Sequence, residues 1–384
     1  MMKGKSDSMA PKRILLMYIT EVSGHHSASL AVEKALRLVA PDTEILNING
    51  FNYTNPLTEK IVNKLYITVI KNFPGIWDFL YDNQKVIKKF DALKHKVNKF
   101  NSKKLKKLFD KFKPDIVACS QAFPCGIVAG YKKKYNPDLK LVGILTDFVP
   151  HSFWLYDEVD NYIVPSEEIA ERMSSKGIPR EKIVPLGIPF DPKFNDFVNK
   201  EKVMQDLKLV PGIPTVLIMG GGQGLGPIKA IIKSLDKVES NLQEIVVTGT
   251  NKKLFRYLRD HKKDFRKLIV PLGYVSTIHE LMSISDIIIT KPGGITTSEA
   301  LAKKLPMLII KPIPGQEENN TIFLTGKKAA LRIQDPSAIN EIVEDLLKHP
   351  GKLKDLSDSA CSLSRPRSSL DIAQFLLQHA EKKE

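Results

Sequence analysis

Two histidines stand side by side in SGHHSAS (23–29), at a glycine turn that opens a helix-patterned stretch. An imidazole at a helix N-terminus meets the positive end of the helix dipole. That disfavours its protonated form and leaves a neutral base near pH 7. Adjacent side chains point apart, so only one of His25 and His26 is expected to face a site. A second polar group gathers in TDFVPHSFW (146–154), where Asp147, His151 and Trp154 follow an apolar run. Three roles are open to Asp147: orienting or polarising a histidine, contacting an acceptor hydroxyl, or capping its own loop beside a packed aromatic.

The second half of the chain carries groups suited to an anion and to hydroxyls. MGGGQGLG (219–226) lacks the Lys-Ser/Thr of a phosphate-binding P-loop and does not fit GxGxxG. Glycines between a strand and a helix still let backbone N–H groups approach an anion at the helix start. KPGG (291–294) is a second such turn, opening a helix with Thr296, Thr297, Ser298 and Glu299. Two such starts suit a diphosphate, and a plain tight turn is the alternative for each. Glu299 reads either as a first-turn helix stabiliser or as the acceptor of two ribose hydroxyl protons. Gln316, Glu317 and Asn320, in GQEENN (315–320), offer donors and acceptors to sugar hydroxyls, or form an ordinary solvated loop. No Asp-x-Asp pair occurs, and beyond the two histidines only His151 is an obvious further ligand, so no metal is expected.

These groups need elements to hold them. Apolar runs at 13–20, 115–120, 140–148 and 161–166, each followed by a loop and helical spacing, predict an α/β domain. Residues 183–194, IVPLGIPFDPKF, hold three prolines and read as a linker. The pattern restarts with strands expected at 215–219, 244–249, 286–290 and 307–311. Two α/β halves with loops at strand ends imply a cleft between them. The expected domains are 1–188 and 189–365, with a C-terminal helix at about 366–384 packing back on the first.

At 384 residues, two domains are the natural division. With 42% apolar and 26% charged residues the chain is a folded globular protein. Its formal charge of +15 favours an anionic partner. Three scattered cysteines, none in CxxC spacing, argue against a disulfide framework and a zinc ribbon and suit the cytosol. No run of eighteen apolar residues occurs, so a soluble or peripheral protein is expected. Residues 85–113 break the α/β pattern with twelve lysines and two aspartates. Val86, Phe90, Leu93, Val97 and Phe100 form one apolar helical stripe there, behind the aromatic-rich 64–81. The segment reads as a solvated helix face or as a membrane-surface element. Nucleic acid is disfavoured, because glycine turns and acidic groups do not serve base readout.

Together these motifs resemble the diacylglycerol glycosyltransferases, plant monogalactosyldiacylglycerol synthases and bacterial processive diacylglycerol glucosyltransferases. The resemblance runs nearly the whole chain, through SGHHSAS, TDF-x-x-H-x-x-W, the GIP linker, MGGG, GTNKKL (249–254), LGYVSTIHELM (272–282) and KPGGITTSEALAKKLP to PGQEENN. It implies a glycosyltransferase-B fold, two Rossmann-like domains facing a cleft. It also implies an inverting, metal-independent transferase that needs no cofactor beyond its UDP-sugar co-substrate. The donor would be UDP-glucose or UDP-galactose and the acceptor diacylglycerol, at the anionic inner face of the cell membrane, giving a glycolipid. His25 would be the general base. Uracil would lie near Tyr274, Val275 and Asn251, and the diphosphate at Gly221, Gly222, Gly294 and Thr296. Ribose would go to Glu299 and the donor sugar to Gln316 and Glu317, with Lys291 or Lys311 offsetting charge. A soluble UDP-sugar transferase or epimerase of the same architecture is the alternative expectation.

Overall fold

The computed structural model describes residues 11–20, 23–50, 105–150 and 154–380. The lysine-rich expectation at 85–113 lies outside them except for its end, where residues 105–112 are helical. His151 lies outside them as well. Two parallel six-stranded sheets organise the chain. The first is built from β1 (Arg13–Tyr18), β2 (Glu44–Asn49), β3 (Ile116–Cys119), β4 (Lys140–Ile144), β5 (Asn161–Ile163) and β6 (Ile183–Val184). Helices α1 (Gly24–Val39), α2 (Ala122–Tyr135) and α3 (Glu167–Ser175) alternate with these strands. The strand order is β2-β1-β3-β4-β5-β6.

The second unit begins with α4 (Lys200–Asp206). It continues through β7 (Thr215–Met219), α5 (Ile228–Leu235), β8 (Gln243–Val247), α6 (Lys252–His261), β9 (Leu268–Leu272) and α7 (Ile278–Ser283). Next come β10 (Ile287–Thr290), α8 (Gly294–Ala302), β11 (Met307–Ile310), α9 (Gln316–Gly326) and β12 (Ala330–Ile333). Helices α10 (Ile339–Lys348) and α11 (Pro350–Leu363) complete it, and α12 (Ser368–His379) ends the described chain. Its strand order is β12-β11-β10-β7-β8-β9. The central strands β7, β10 and β11 are buried end to end, because helices cover both faces of a parallel sheet.

Each sheet changes direction once. In the first, the chain leaves β1 for β2 on one side and returns through β3 on the other. In the second, β7 leads to β8 and β9 on one side, and β10 then pairs with β7 on the other. Crevices beyond the carboxyl ends of strands at such reversals are where open parallel sheets bind ligands. The β1 and β3 loops flank the first crevice and carry His25 and Ser120. The β7 and β10 loops flank the second and are the two glycine turns.

Strands β2, β6, β9 and β12 were not expected from sequence. Each lies toward a sheet edge and mixes charged or half-exposed residues into its pattern, which hides an apolar run. The proline-bearing 183–194 is therefore not only a linker. It donates edge strand β6, which pairs with β5, before running on to a short 3-10 turn at Pro192–Asn195. An edge position tolerates the flanking prolines because one side of the strand needs no partner.

The last helix returns to the first domain. Ile372, Ala373 and Leu376 of α12 join a cluster with Ile14, Leu16, Val32 and Leu36. Ser368 Oγ donates to the Ile188 carbonyl at 2.8 Å, and Ser369 Oγ donates to that of Phe190.

Candidate active site

His25 is the second residue of α1, whose N-cap Ser23 accepts from the His26 N–H. Its Nδ1 lies 3.0 Å from the Ser120 carbonyl and 2.9 Å from Thr146 Oγ1. A carbonyl oxygen only accepts, so Nδ1 carries the ring proton and Nε2 keeps its lone pair. Ser120 also donates its hydroxyl to the His25 carbonyl at 2.8 Å, tying β3 to the start of α1. Burial pushes the imidazole down to about 4, against the opposing bond to Ser120. It is a neutral base at pH 7. His26 instead stacks its ring on Tyr18, centroids 4.2 Å apart. The structure thus separates two histidines that the sequence left side by side.

Asp147 does not touch His25. Its carboxylate accepts from Gln316 Nε2 at 2.7 Å and from Asn320 Nδ2 at 3.3 Å, both on α9 of the other domain. Burial raises it to about 6, against the Asn320 bond. The β4 strand ends at 144 and the chain then turns. Thr146 faces the histidine, while Asp147 is handed to the opposite domain. Of the three roles open to Asp147, orientation of His25 is the one the structure removes.

The two glycine turns lie beside each other on β7 and β10. Within the first, Gly224 has φ +57° and a Cβ there would stand 2.0 Å from the Thr248 carbonyl. A Cβ at Gly220 would strike the Leu225 backbone, and one at Gly249 would sit 2.2 Å from the Gly222 carbonyl. These three glycines hold the turn shut against the β8 loop. Gly221 and Gly222 face open space, with nothing within 4 Å of a built Cβ. Asn251 caps α6 through the Leu254 N–H and donates to the Gly224 carbonyl, bracing the same turn.

Helix α8 starts at Gly294 without a side-chain cap and without an acidic residue in its first turn. Its first N–H groups are therefore available to an anion. Thr296 is half-buried on that turn. Gly294 itself is pressed against the first domain, where a Cβ would meet the Thr146 carbonyl at 1.8 Å. Only glycine permits this contact, so its side of the helix is filled by protein backbone. Gly24, at the start of α1, lies 3.4 Å (from a built Cβ) from Ile295 of α8. The start of α1, which carries His25, and the uncapped start of α8 thus meet at the domain interface.

Glu299 lies beyond the first turn of α8, which overturns its reading as a first-turn stabiliser. It is half-buried, and its carboxyl has no hydrogen-bond partner among the described residues. Burial, with the Asp191 charge nearby, raises it to about 8. Glu317 is engaged already. It pairs with Lys291 at 3.1 Å, side chains 19% and 14% exposed, and accepts from the Ile313 N–H at 2.7 Å. Asn320 is buried and spans the interface, accepting from the Phe148 N–H at 2.9 Å and donating to the Pro292 carbonyl at 3.0 Å. Tyr274 is 74% exposed beyond β9, beside Val275, which packs on the core. Lys311 is exposed at the end of β11, with φ +46°.

Sequence reasoning missed Ser120, Thr146 and the closing glycines Gly220, Gly224 and Gly249. Their one signal was position, since all follow the carboxyl ends of strands.

The family described as monogalactosyldiacylglycerol (MGDG) synthase matches residues 25–190, and the glycosyltransferase family 28 C-terminal domain matches 215–369. A processive diacylglycerol beta-glucosyltransferase of Bacillus cereus is 32% identical over 375 residues, covering 96% of this chain and 95% of its own. Its counterpart in Bacillus licheniformis is 30% identical over 378 residues, 96% of each chain. Among solved structures, MurG of Acinetobacter baumannii superposes with a TM-score of 0.66 at 15% identity, covering 96% of this chain and all of MurG. A UDP-N-acetylglucosamine 2-epimerase gives 0.58 at 14% identity, with 98% of both chains covered. These distant structures share the two-domain glycosyltransferase-B fold. The paired domain matches and the near full-length relatives place the chain in the diacylglycerol glycosyltransferase family.

Proposed function

We propose that the protein transfers a hexose from a UDP-sugar to diacylglycerol, with inversion and without a metal, at an anionic membrane surface. One observation carries this reading. A neutral histidine and an uncapped helix start meet where the two sheet-reversal crevices face each other.

His25 Nε2 takes the proton of the glycerol hydroxyl as its oxygen attacks the anomeric carbon. The bond from that carbon to the β-phosphate oxygen breaks, and UDP leaves with the electron pair. The N–H groups at the start of α8 and around Gly221 and Gly222 receive the charge that develops on the diphosphate. Glu299, a carboxyl left without a partner, accepts from the ribose hydroxyls. Gln316 and Glu317 address the sugar, and Asn251, Tyr274 and Val275 surround the uracil. Backside attack at carbon exchanges an α-linked donor for a β-glycoside. The relatives named as diacylglycerol beta-glucosyltransferases support lipid as acceptor and glucose as the sugar. The basic excess of the chain supports docking on anionic lipid. No helix among the described residues is long and apolar enough to cross a membrane.

Radiolabelled UDP-glucose and UDP-galactose, each supplied with diacylglycerol vesicles, test the reading by product chromatography. A labelled β-glycosyl diacylglycerol is expected. Conversion of UDP-sugar with no acceptor present would overturn it in favour of an epimerase.

A further inference from the structure

Three consecutive residues beyond β4 join the base to the donor-side domain. Thr146 Oγ1 stands 2.9 Å from His25 Nδ1, and its carbonyl occupies the space beside Gly294 at the start of α8. Asp147 accepts from Gln316 and Asn320 of α9. Phe148 donates its N–H to Asn320, and its ring stacks on Phe323 of α9 at 5.1 Å.

We propose that Thr146 is the positioning residue of the base, and that residues 146–148 transmit donor-side occupancy to His25. The proposal rests on His25 being the base of the transfer reaction. With Ser120, the Thr146 hydroxyl provides the second of two neutral oxygens at the Nδ1 proton. Two acceptors at one ring N–H fix the rotation of the imidazole, and so the direction of the Nε2 lone pair. Their dipoles also stabilise the imidazolium that forms as the proton arrives. The nearby carboxylate, Asp147, is spent on the other domain. A nucleotide diphosphate settling at the start of α8 lies against the backbone that carries Thr146. A shift of α8 or α9 moves residues 146–148 together, because the Thr146 carbonyl abuts Gly294 while Asp147 and Phe148 are hydrogen-bonded to Gln316 and Asn320.

The test uses the full-length protein with Thr146→Val, which keeps the shape and removes the hydroxyl, and Thr146→Ser, which restores it. Thr146→Val is expected to lower kcat about tenfold, the equivalent of one hydrogen bond. The KM for UDP-sugar and the Kd for UDP should stay within about twofold. Thr146→Ser should recover kcat to within about threefold. A second readout needs no turnover: the ¹⁵N resonances of the His25 ring, assigned by their loss in His25→Asn, before and after UDP is added. They are expected to move in the wild type and in Thr146→Ser, and to stay fixed in Thr146→Val and in Asp147→Ala. Wild-type kcat in Thr146→Val would overturn the proposal. So would a serine variant no better than valine, or equal UDP-induced shifts in all four proteins. Should no protein, wild type included, transfer sugar to diacylglycerol, the functional reading fails, while the spectra still decide the coupling.

Discussion

Asp147 Oδ2 accepts a 2.7 Å hydrogen bond from Gln316 Nε2, joining two residues 169 positions apart and on different domains. The bond shows that the candidate site is assembled across the interface, and that neither domain holds it alone. The side chain proposed to read the donor sugar is oriented by a carboxylate from the acceptor side.

Removal of the proposed base is the most direct test. His25→Ala is expected to cut kcat by at least about 10²-fold, the lower end for a positioned general base, while UDP affinity stays within about twofold by calorimetry. His26→Ala is expected to cost far less activity, because that ring packs on Tyr18. Burial holds the folded-state imidazole at about 4, below its ordinary 6.5. A depressed pKa contributes stability that is present above 6.5 and lost as pH falls through about 4. Acid denaturation of His25→Ala should therefore shift to lower pH in circular-dichroism titrations.

Glu299 has the opposite sign. Its carboxyl is raised from 4.5 to about 8, so the folded state binds the proton more tightly than the unfolded chain. The resulting stabilisation is present below 4.5 and is lost as pH rises to about 8. The proposed acceptance from the ribose diol requires the carboxylate, so UDP affinity should rise as pH passes from 6.5 to 8.5. Glu299→Gln should flatten that rise and weaken binding at pH 8.5 by about tenfold. It should also melt at higher temperature than wild type at pH 8.5. Isothermal titration across pH, paired with calorimetric melts, reads both effects.

The first glycine turn separates binding from folding. Gly222→Ala meets no neighbour within 4 Å and should leave Tm within about 1 °C. Its methyl enters the space proposed for the diphosphate, so UDP affinity should fall about tenfold or more. Gly224→Ala combines φ +57° with a Cβ 2.0 Å from the Thr248 carbonyl. It should lose about 2 kcal/mol or more of stability. Denaturant titrations of the two variants distinguish these outcomes.

Away from the site, Glu244 of β8 is wholly buried, and neither carboxylate oxygen has a hydrogen-bond partner among the described residues. Burial holds it well above the ordinary carboxylate range, with the Asp236 charge adding to the shift. Glu244→Leu puts an apolar side chain among Val216, Val246 and Leu242 and should stabilise by about 1–3 kcal/mol. Thermal melts at pH 7 and 9 check it, with the larger gain at pH 9, where wild type pays more to keep the group neutral.

Much of the molecule was legible before folding. The apolar runs at 13–20 and 215–219 declared buried parallel strands, because a sheet covered on both faces needs continuous apolar sequence. The glycine turns at 219–226 and 291–294 declared strand-to-helix bends, because few other residues tolerate them. Edge strands such as β2 and β12 stayed hidden, since half their residues face water or polar neighbours.

The sequence by itself determined which residue types stand at strand ends, and so the two histidine candidates, the two glycine turns and the unplaced carboxylates. Tertiary structure decided which of them meet. Strand order put β1 beside β3 and β7 beside β10. That seated Ser120 on His25, and docking of the two domains set Thr146 against Gly294 and Asp147 against Gln316. Those pairs are between 95 and 169 positions apart for the hydrogen bonds named here. Local propensity fixes only the few residues around each turn. Contacts at such separation follow from burying two sheets and the interface between them, which no short stretch of sequence encodes.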